Sequence, residues 1–386
     1  MVVGLVLAVI GLAGDHTEHK QYTWAAFYAN ALFFFFIALG TLFFYSLNHV
    51  TETAWTVMVK RVYEAIAMYV PWGALAVLIV LVAGSLGVHH IWHWMDARTL
   101  DVADTAHYDA HLSLISSYLN KPFFWVRAIV VLATFVFFAR WFRTHSLRMD
   151  QETGTALVAS HWKNYRKSVL FTVLFAFLSS ILAWDWIMSI EPHWHSALFG
   201  WYVFGGMWAG GMITAVIFVL YLKGKGYLPQ VNSSHLHDMG KWVFAVSFLW
   251  SYLYFEQFML IWYSNMPEES AYYVPRIGHH PWLIWGTFFI NFGLPMLLLM
   301  SRDAKRSPKF LIGVGALIFL GHWTDTVQMV MPGALGAHFE GIGLLEIGFF
   351  LAFLGLFIRV VLNALSKAPL TVVAHPFLEE SVHHHI

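Results

Sequence analysis

Ten stretches of this chain are apolar enough to be read as membrane spans, and the ionisable side chains within them gather toward one membrane face. A bilayer core takes about 20 apolar residues per helix. Nine stretches meet that length, near residues 27–47, 67–92, 122–142, 168–190, 197–222, 241–263, 281–300, 308–331 and 341–363. A tenth, 1–13, opens the chain and is too short to cross alone. It ends at Gly14-Asp15-His16 without a basic segment or cleavage site, so it reads as a clipped first helix or the end of a missing stretch rather than a signal peptide. Counted from the amino terminus, 1–13 is the first span and 341–363 the tenth.

The expected fold is therefore an all-α integral membrane protein. With 59% hydrophobic and only 11% charged residues, the chain has too little polar surface to cover a water-soluble globule of 386 residues. It has no cysteine, which excludes thiolate-ligated iron–sulfur clusters, covalent c-type haem and disulfides. Acidic and basic residues balance at 22 each, and no glycine-rich phosphate loop is present, so nucleic acid and soluble nucleotide chemistry are not indicated.

Orientation follows from the cations. One set of connections and adjoining span ends holds every lysine and arginine except Lys20, Arg98, Lys121, Arg276 and the intramembrane Arg127. The positive-inside rule puts that set and both termini in the cytoplasm. The opposite connections carry Asp96, Asp101, Asp104, Asp109, Glu268 and Glu269 and many histidines. Trp92, Trp94, Trp194, Trp262 and Trp282 at span ends are expected to form an interfacial belt. The amphipathic stretch 157–167 is expected to lie along the cytoplasmic interface, and 93–121 is the longest outer connection.

A weak internal repeat is visible. Asp185 and Asp325 each stand seven residues before a proline, Pro192 or Pro332, expected to close the fifth and ninth helices. Spans two to five (27–190) and six to nine (197–331) would then be two equivalent four-helix bundles, with 341–363 flanking and 364–386 a cytoplasmic tail.

In that orientation Asp185, Glu256, His322 and Asp325 fall in the outer halves of their spans, as do Arg127 and Glu346. A charge in hydrocarbon costs roughly 2.5–3.5 kcal/mol even on lenient scales, so each must be paired, hydrated or functional. Asp185 or Glu346 paired with Arg127 is the structural alternative. Glu256 shares a helical neighbourhood with Tyr252 and Tyr263, a spacing suited to hydrogen-bonding a protonated carboxyl. His322 and Asp325 are one turn apart, a carboxylate–imidazole spacing that can accept protons or form a structural pair. Ser168, Thr172 and Ser179 share a face of the fifth helix, while Asp185 and Ser189 project elsewhere, so a channel would need Thr214, Thr287, Asn291 and waters from other helices. Gly205-Gly206 and Gly210-Gly211 read as close-packing sites. The expectation is that Asp185, Glu256, His322 and Asp325 line one polar cavity opening outward.

The run Asp185-Trp186-Ile187-Met188-Ser189-Ile190-Glu191-Pro192-His193-Trp194, followed by Ser196 and Phe199 to Gly206, resembles the NrfD/PsrC-like membrane subunits. It is most similar to the ActF-type second copy in bacterial alternative complex III, as is Pro376 to Ser381 near the carboxyl end. The resemblance covers essentially the whole chain, and the short first helix is its main departure. It implies ten helices in two four-helix bundles flanked by the first and last. It also implies a bacterial inner-membrane complex with a sister NrfD-like subunit, multihaem and monohaem cytochrome c subunits, an iron–sulfur subunit and small membrane subunits. That complex oxidises menaquinol or ubiquinol and reduces cytochrome c or another acceptor. The sister copy is then the better candidate for quinol oxidation, and this chain a scaffold and proton-translocating subunit with no covalent cofactor of its own; the alternative within the family is that this chain itself binds and oxidises quinol. Two other classes remain: a secondary transporter or channel, and a di-haem cytochrome b. The latter needs facing pairs of buried histidines, and only His322 lies convincingly within a span.

Overall fold

A computed structural model describes residues 1–385. They form an all-α integral membrane protein, with no β-strand among the described residues. Ten principal helices follow in order: α1 (Val2–Gly14), α2 (Gln21–Val50), α3 (Trp55–Ser85), α4 (Lys121–Met149), α5 (Gly154–Trp186), α6 (Phe199–Gly224), α7 (Ser233–Ser264), α8 (Pro281–Leu298), α9 (Pro308–Leu335) and α10 (Leu344–Ser366). All but α1 are long and apolar enough to cross a bilayer.

Local sequence sets the helix ends. Asn120 caps α4 by accepting a hydrogen bond from the Phe123 N–H at 3.0 Å, with Pro122 in the first turn where its missing N–H is harmless. Asn232 and His235 form a reciprocal capping box at the start of α7. α3 opens with a 3₁₀ turn, Trp55–Val59, and its α-helical pattern breaks between Ala67 and Val70. α8 contains a π-helical turn, Phe289–Gly293.

The helices assemble as the repeat suggests. α2, α3, α4 and α5 pack in a ring, and α6, α7, α8 and α9 pack in a second. α2 and α6 join the rings, α10 packs on α2 and α3, and α1 packs on α10. Lipid tails are as apolar as leucine, so no hydrophobic force draws helices together and close packing must do so. At the joint, a Cβ on Gly40 would stand 1.8 Å from the Met207 carbonyl oxygen, and one on Gly211 would stand 2.6 Å from the Thr41 nitrogen. Only glycine lets these backbones touch, which bears out the packing role for Gly211, whereas a Cβ on Gly210 would meet only the Ile37 side chain at 3.4 Å. α1 and α10 meet the same way, with Gly4 against Ala352 and Gly348 against Ala8.

Three expectations are corrected. Residues 157–167 do not lie apart along an interface: they belong to the 33-residue α5. At 1.5 Å per residue α5 is about 50 Å long, well beyond a 30 Å hydrocarbon layer, so its amphipathic start projects from the membrane as a continuation of the same helix. Pro332 does not close α9, which runs on to Leu335. Trp92, Trp94 and Trp194 are buried within the protein, leaving Trp262 and Trp282 as the exposed members of the proposed belt.

The two ends of the bundles differ. The histidine-rich face carries the 86–120 connection and an open cleft, about 770 Å³ in volume, whose walls include His16, His19, His90, His93, His107 and His338. Across the molecule, on the basic face, the tail docks rather than hanging free. Ser381 Oγ donates to the Trp55 carbonyl at 3.0 Å, His235 Nε2 lies 3.0 Å from the Ser381 carbonyl, and His384 Nε2 meets Asp238 at 2.6 Å. The tail thus ties the start of α3 to the start of α7, one bundle to the other.

Candidate functional site

α9 brings two sequence-predicted residues into the middle of the second ring. Asp325, 1% exposed, accepts hydrogen bonds from the Tyr202 hydroxyl of α6 and from the Trp250 indole N–H of α7, the latter at 3.0 Å. No cation pairs with it among the described residues. Two neutral donors leave this carboxyl without a compensating charge, the situation in which a buried acid either holds its proton or takes part in moving one. Gly206 of α6 lies beside this group: a Cβ there would stand 3.7 Å from Asp325 Oδ2, an ordinary van der Waals contact.

His322 lies one turn away but does not bond to Asp325. Its ring meets Trp250 edge-on, with centroids 5.3 Å apart, and neither ring nitrogen has a protein partner although the residue is 3% exposed. Trp250 thus stands between them, its N–H on the carboxyl and its ring against the imidazole. Both residues, with Thr326 and Met329, line a small cavity walled by Phe33 and Ile37 of α2. About 10 Å³ of it is open to the centre of a water molecule, close to what one water needs. A single water could therefore serve His322 and Asp325 together.

Asp185 has a different chemistry. Arg127 of α4 grips it with two bonds, Nε to Oδ2 at 2.5 Å and Nη2 to Oδ1 at 3.0 Å. The guanidinium also donates to the Tyr118 carbonyl at 3.2 Å and lies over the Tyr118 and Phe123 rings, 3.9 and 4.2 Å from their centroids. This is the structural pair foreseen as the alternative. Glu346 does not reach Arg127: its Oε2 accepts the Gly343 N–H at 2.9 Å and caps α10, while Oε1 is buried without a partner.

Glu256 is not brought to the site. It sits on the outward side of α7, part-exposed beside Tyr252 and Phe255, which are 54% and 48% exposed, and it makes no hydrogen bond or ion pair among the described residues. Trp250, Tyr254 and Gln257 occupy the inward side of that helix instead. The expected single cavity shared by Asp185, Glu256, His322 and Asp325 is therefore not formed. The azimuth of each residue about its helix was not readable from sequence.

Several polar clusters went unread. Glu191 and Arg276 form a bidentate pair at 2.5 and 3.1 Å on the histidine-rich face, joining the end of α5 to the segment before α8. On the basic face Glu64 of α3 is fully enclosed, meeting Arg61 and Arg143 at 2.8 Å each and the Ser146 hydroxyl at 2.5 Å. Its spacing of three and four residues from Arg61 and Lys60 was the available signal, but those cations had been read only as topology markers. Of the second-ring polar residues, Thr287 bonds Thr324 at 3.0 Å, Thr214 bonds its own helix at the Gly210 carbonyl, and Asn291 is buried with both amide atoms unpaired.

The molecule also has a membrane-facing groove of about 510 Å³ between α6, α9 and α10, lined by residues such as Phe319, Phe350 and Leu354. Among its described lining residues the polar side chains are Thr214 and Tyr221. No group of three or more histidine, aspartate or glutamate side chains is arranged to hold a metal ion among the described residues. Neither protein-family models nor curated proteins provide a match to this chain.

Proposed function

We propose that this chain is an NrfD-like membrane subunit of a quinol:cytochrome c or other-acceptor oxidoreductase of the alternative complex III type, placed in a bacterial inner membrane with both termini cytoplasmic. It holds the redox subunits and moves protons, while haem, iron–sulfur clusters and the quinol site belong to its partners. The two-ring architecture and the run from Asp185 to Trp194 support the family reading.

The observation that carries the proton role is the contrast between two aspartates at matching places in the repeat. Asp185 is neutralised by Arg127 and is a structural element. Asp325 faces only neutral donors and shares a water-sized space with an imidazole that has no partner. When Asp325 loses its proton, Tyr202 and Trp250 stabilise the carboxylate, and the neutral His322 ring stands ready to accept the proton through one intervening water.

The test is the intact complex in sealed vesicles. Asp325→Asn keeps shape and polarity but removes the titrating proton. It should assemble with the cytochrome subunits and oxidise quinol, yet release fewer protons per electron. An unaltered ratio leaves the chain as a scaffold only, and failure of the chain to co-purify with haem-bearing partners overturns the complex itself.

A further inference from the structure

The turn that ends α2 is built around a residue it disfavours. Glu52 has φ of 49°, the left-handed region in which a non-glycine residue is strained by roughly 1 kcal/mol or more. The turn closes with the Thr53 N–H donating to the Asn48 carbonyl at 2.9 Å, a helix ending that glycine ordinarily supplies. The Glu52 side chain is 43% exposed on the basic face, and its Oε1 stands 3.8 Å from His161 Nε2.

Behind it lies a chamber with walls from three helices and the tail: Tyr45 and His49 of α2, Lys60 of α3, His161 of α5, and His375 and Phe377 of the tail. About 20 Å³ is open to the centre of a water molecule, more than one water requires. His161 is 5% exposed, and neither of its ring nitrogens has a hydrogen-bond partner. Lys60 is 4% exposed, with its nearest carboxylate oxygen on Glu64 at 3.9 Å.

The tautomers follow from the bonds. His49 Nδ1 donates to the Tyr45 carbonyl at 2.8 Å, which leaves Nε2 an acceptor. His375 Nδ1 accepts the Phe377 N–H at 3.1 Å, which leaves Nε2–H a donor. A chamber with donors at Lys60 and His375 and an acceptor at His49 suits water better than an anion, which could use only the donors.

Polar side chains continue inward from it. Asn164 Nδ2 donates to the Tyr45 hydroxyl at 3.4 Å. Farther in, Ser46 Oγ donates to the Ser168 carbonyl at 2.9 Å and lies 3.0 Å from Thr172 Oγ1. Asn164, Ser168 and Thr172 recur every four residues along α5, so they form one seam between α5 and α2.

We propose that this tail-closed chamber is a hydrated proton-uptake site on the basic face, with Glu52 as collector and His161 as first internal acceptor. The proposal rests on reading the chain as a proton-moving subunit. In the step, the O–H bond of protonated Glu52 breaks and an N–H bond forms at His161 Nε2, across one water or after the exposed carboxyl swings inward. The imidazolium then releases its Nδ1 proton to the chamber water, a ring flip turns the bare nitrogen back toward Glu52, and the Glu52 carboxylate is reprotonated from bulk. No electrons move. The strain at Glu52 is explained if the position must carry a carboxyl.

Two measurements on the intact complex test this. X-ray hydroxyl-radical footprinting at rest should label Tyr45 and His161 strongly despite their burial, because radicals form from water held beside them. Glu52→Gly restores the residue the turn prefers, so the variant should fold with an equal or higher melting temperature. Proton uptake from the basic side during turnover should nonetheless slow roughly tenfold. Unlabelled chamber residues, or uptake by folded Glu52→Gly at the original rate, overturn the proposal. The footprint is read without turnover, so it fails or holds separately from the Asp325 test, which reads only proton stoichiometry.

Discussion

Arg127 and Asp185 offer a quantitative test of which buried charges build the protein and which do its work. Arg127→Gln removes both bonds to a carboxylate that is 0% exposed and leaves it with no other cation. Breaking a buried pair from one side typically costs 3–5 kcal/mol, because the remaining charge is uncompensated. Asp185→Asn strands the guanidinium instead, but Arg127 keeps the Tyr118 carbonyl and the Tyr118 and Phe123 rings, so its loss should sit at the lower end of that range. The double variant removes both charges and should recover about 2 kcal/mol relative to the sum of the singles. For a chain of this size each kcal/mol moves the thermal midpoint by roughly 1–2 °C, so Arg127→Gln should melt about 4–7 °C lower in detergent. Proton release per electron by whatever assembles should be unchanged in all three. Additive losses with no recovery would refute the pairing argument. A changed proton ratio would refute the division of labour between Asp185 and Asp325.

At the joint between rings, Gly40→Ala forces a methyl group onto the Met207 carbonyl and should destabilise by roughly 3 kcal/mol or more, whereas Gly313→Ala, with nothing within 4 Å, should be neutral or slightly stabilising; thermal midpoints compare them directly. At the membrane edge after α3, burial pushes the His89 imidazole down to about 4, so the unfolded chain binds the extra proton between pH 6.5 and 4. Stability is therefore complete above pH 6.5 and falls by roughly 3 kcal/mol as pH drops to 4, and His89→Gln should flatten that part of the melting-temperature profile. Ser381→Ala removes the bond to the Trp55 carbonyl and the acceptor for the Met58 N–H at 3.3 Å, and should cost about 1–3 kcal/mol of tail docking, read as faster proteolysis confined to residues after 367.

What could be read in advance divides along physical lines. Span positions were legible because apolar length is forced by the bilayer, and the cation asymmetry is equally local information. The repeat singled out Asp185 and Asp325, yet their partners come from α4 in one case and from α6 and α7 in the other, and no spacing within a single helix announces them. Glu256 illustrates the limit most sharply. Its neighbours Tyr252 and Tyr263 were read as hydrogen-bonding partners, and both turn outward, because a membrane helix is apolar on all sides and hides the periodicity that would reveal its inner face. The Glu52 turn was missed for a related reason: a strained φ leaves no trace in residue type when the sequence does not use glycine.

The docked tail has a bearing on biogenesis. Residues 373–384 leave the ribosome after α1 to α10 have been made, yet they provide contacts that span the beginnings of α3 and α7. Each ring can therefore insert and pack as a unit, domain by domain, but the clasp between them on the basic face forms only after synthesis of α10. Until then Asp238, His235 and the amide of Met58 stand open at the membrane surface. A quality-control protease that recognises that exposed surface would discriminate finished from unfinished molecules without sensing the membrane interior at all.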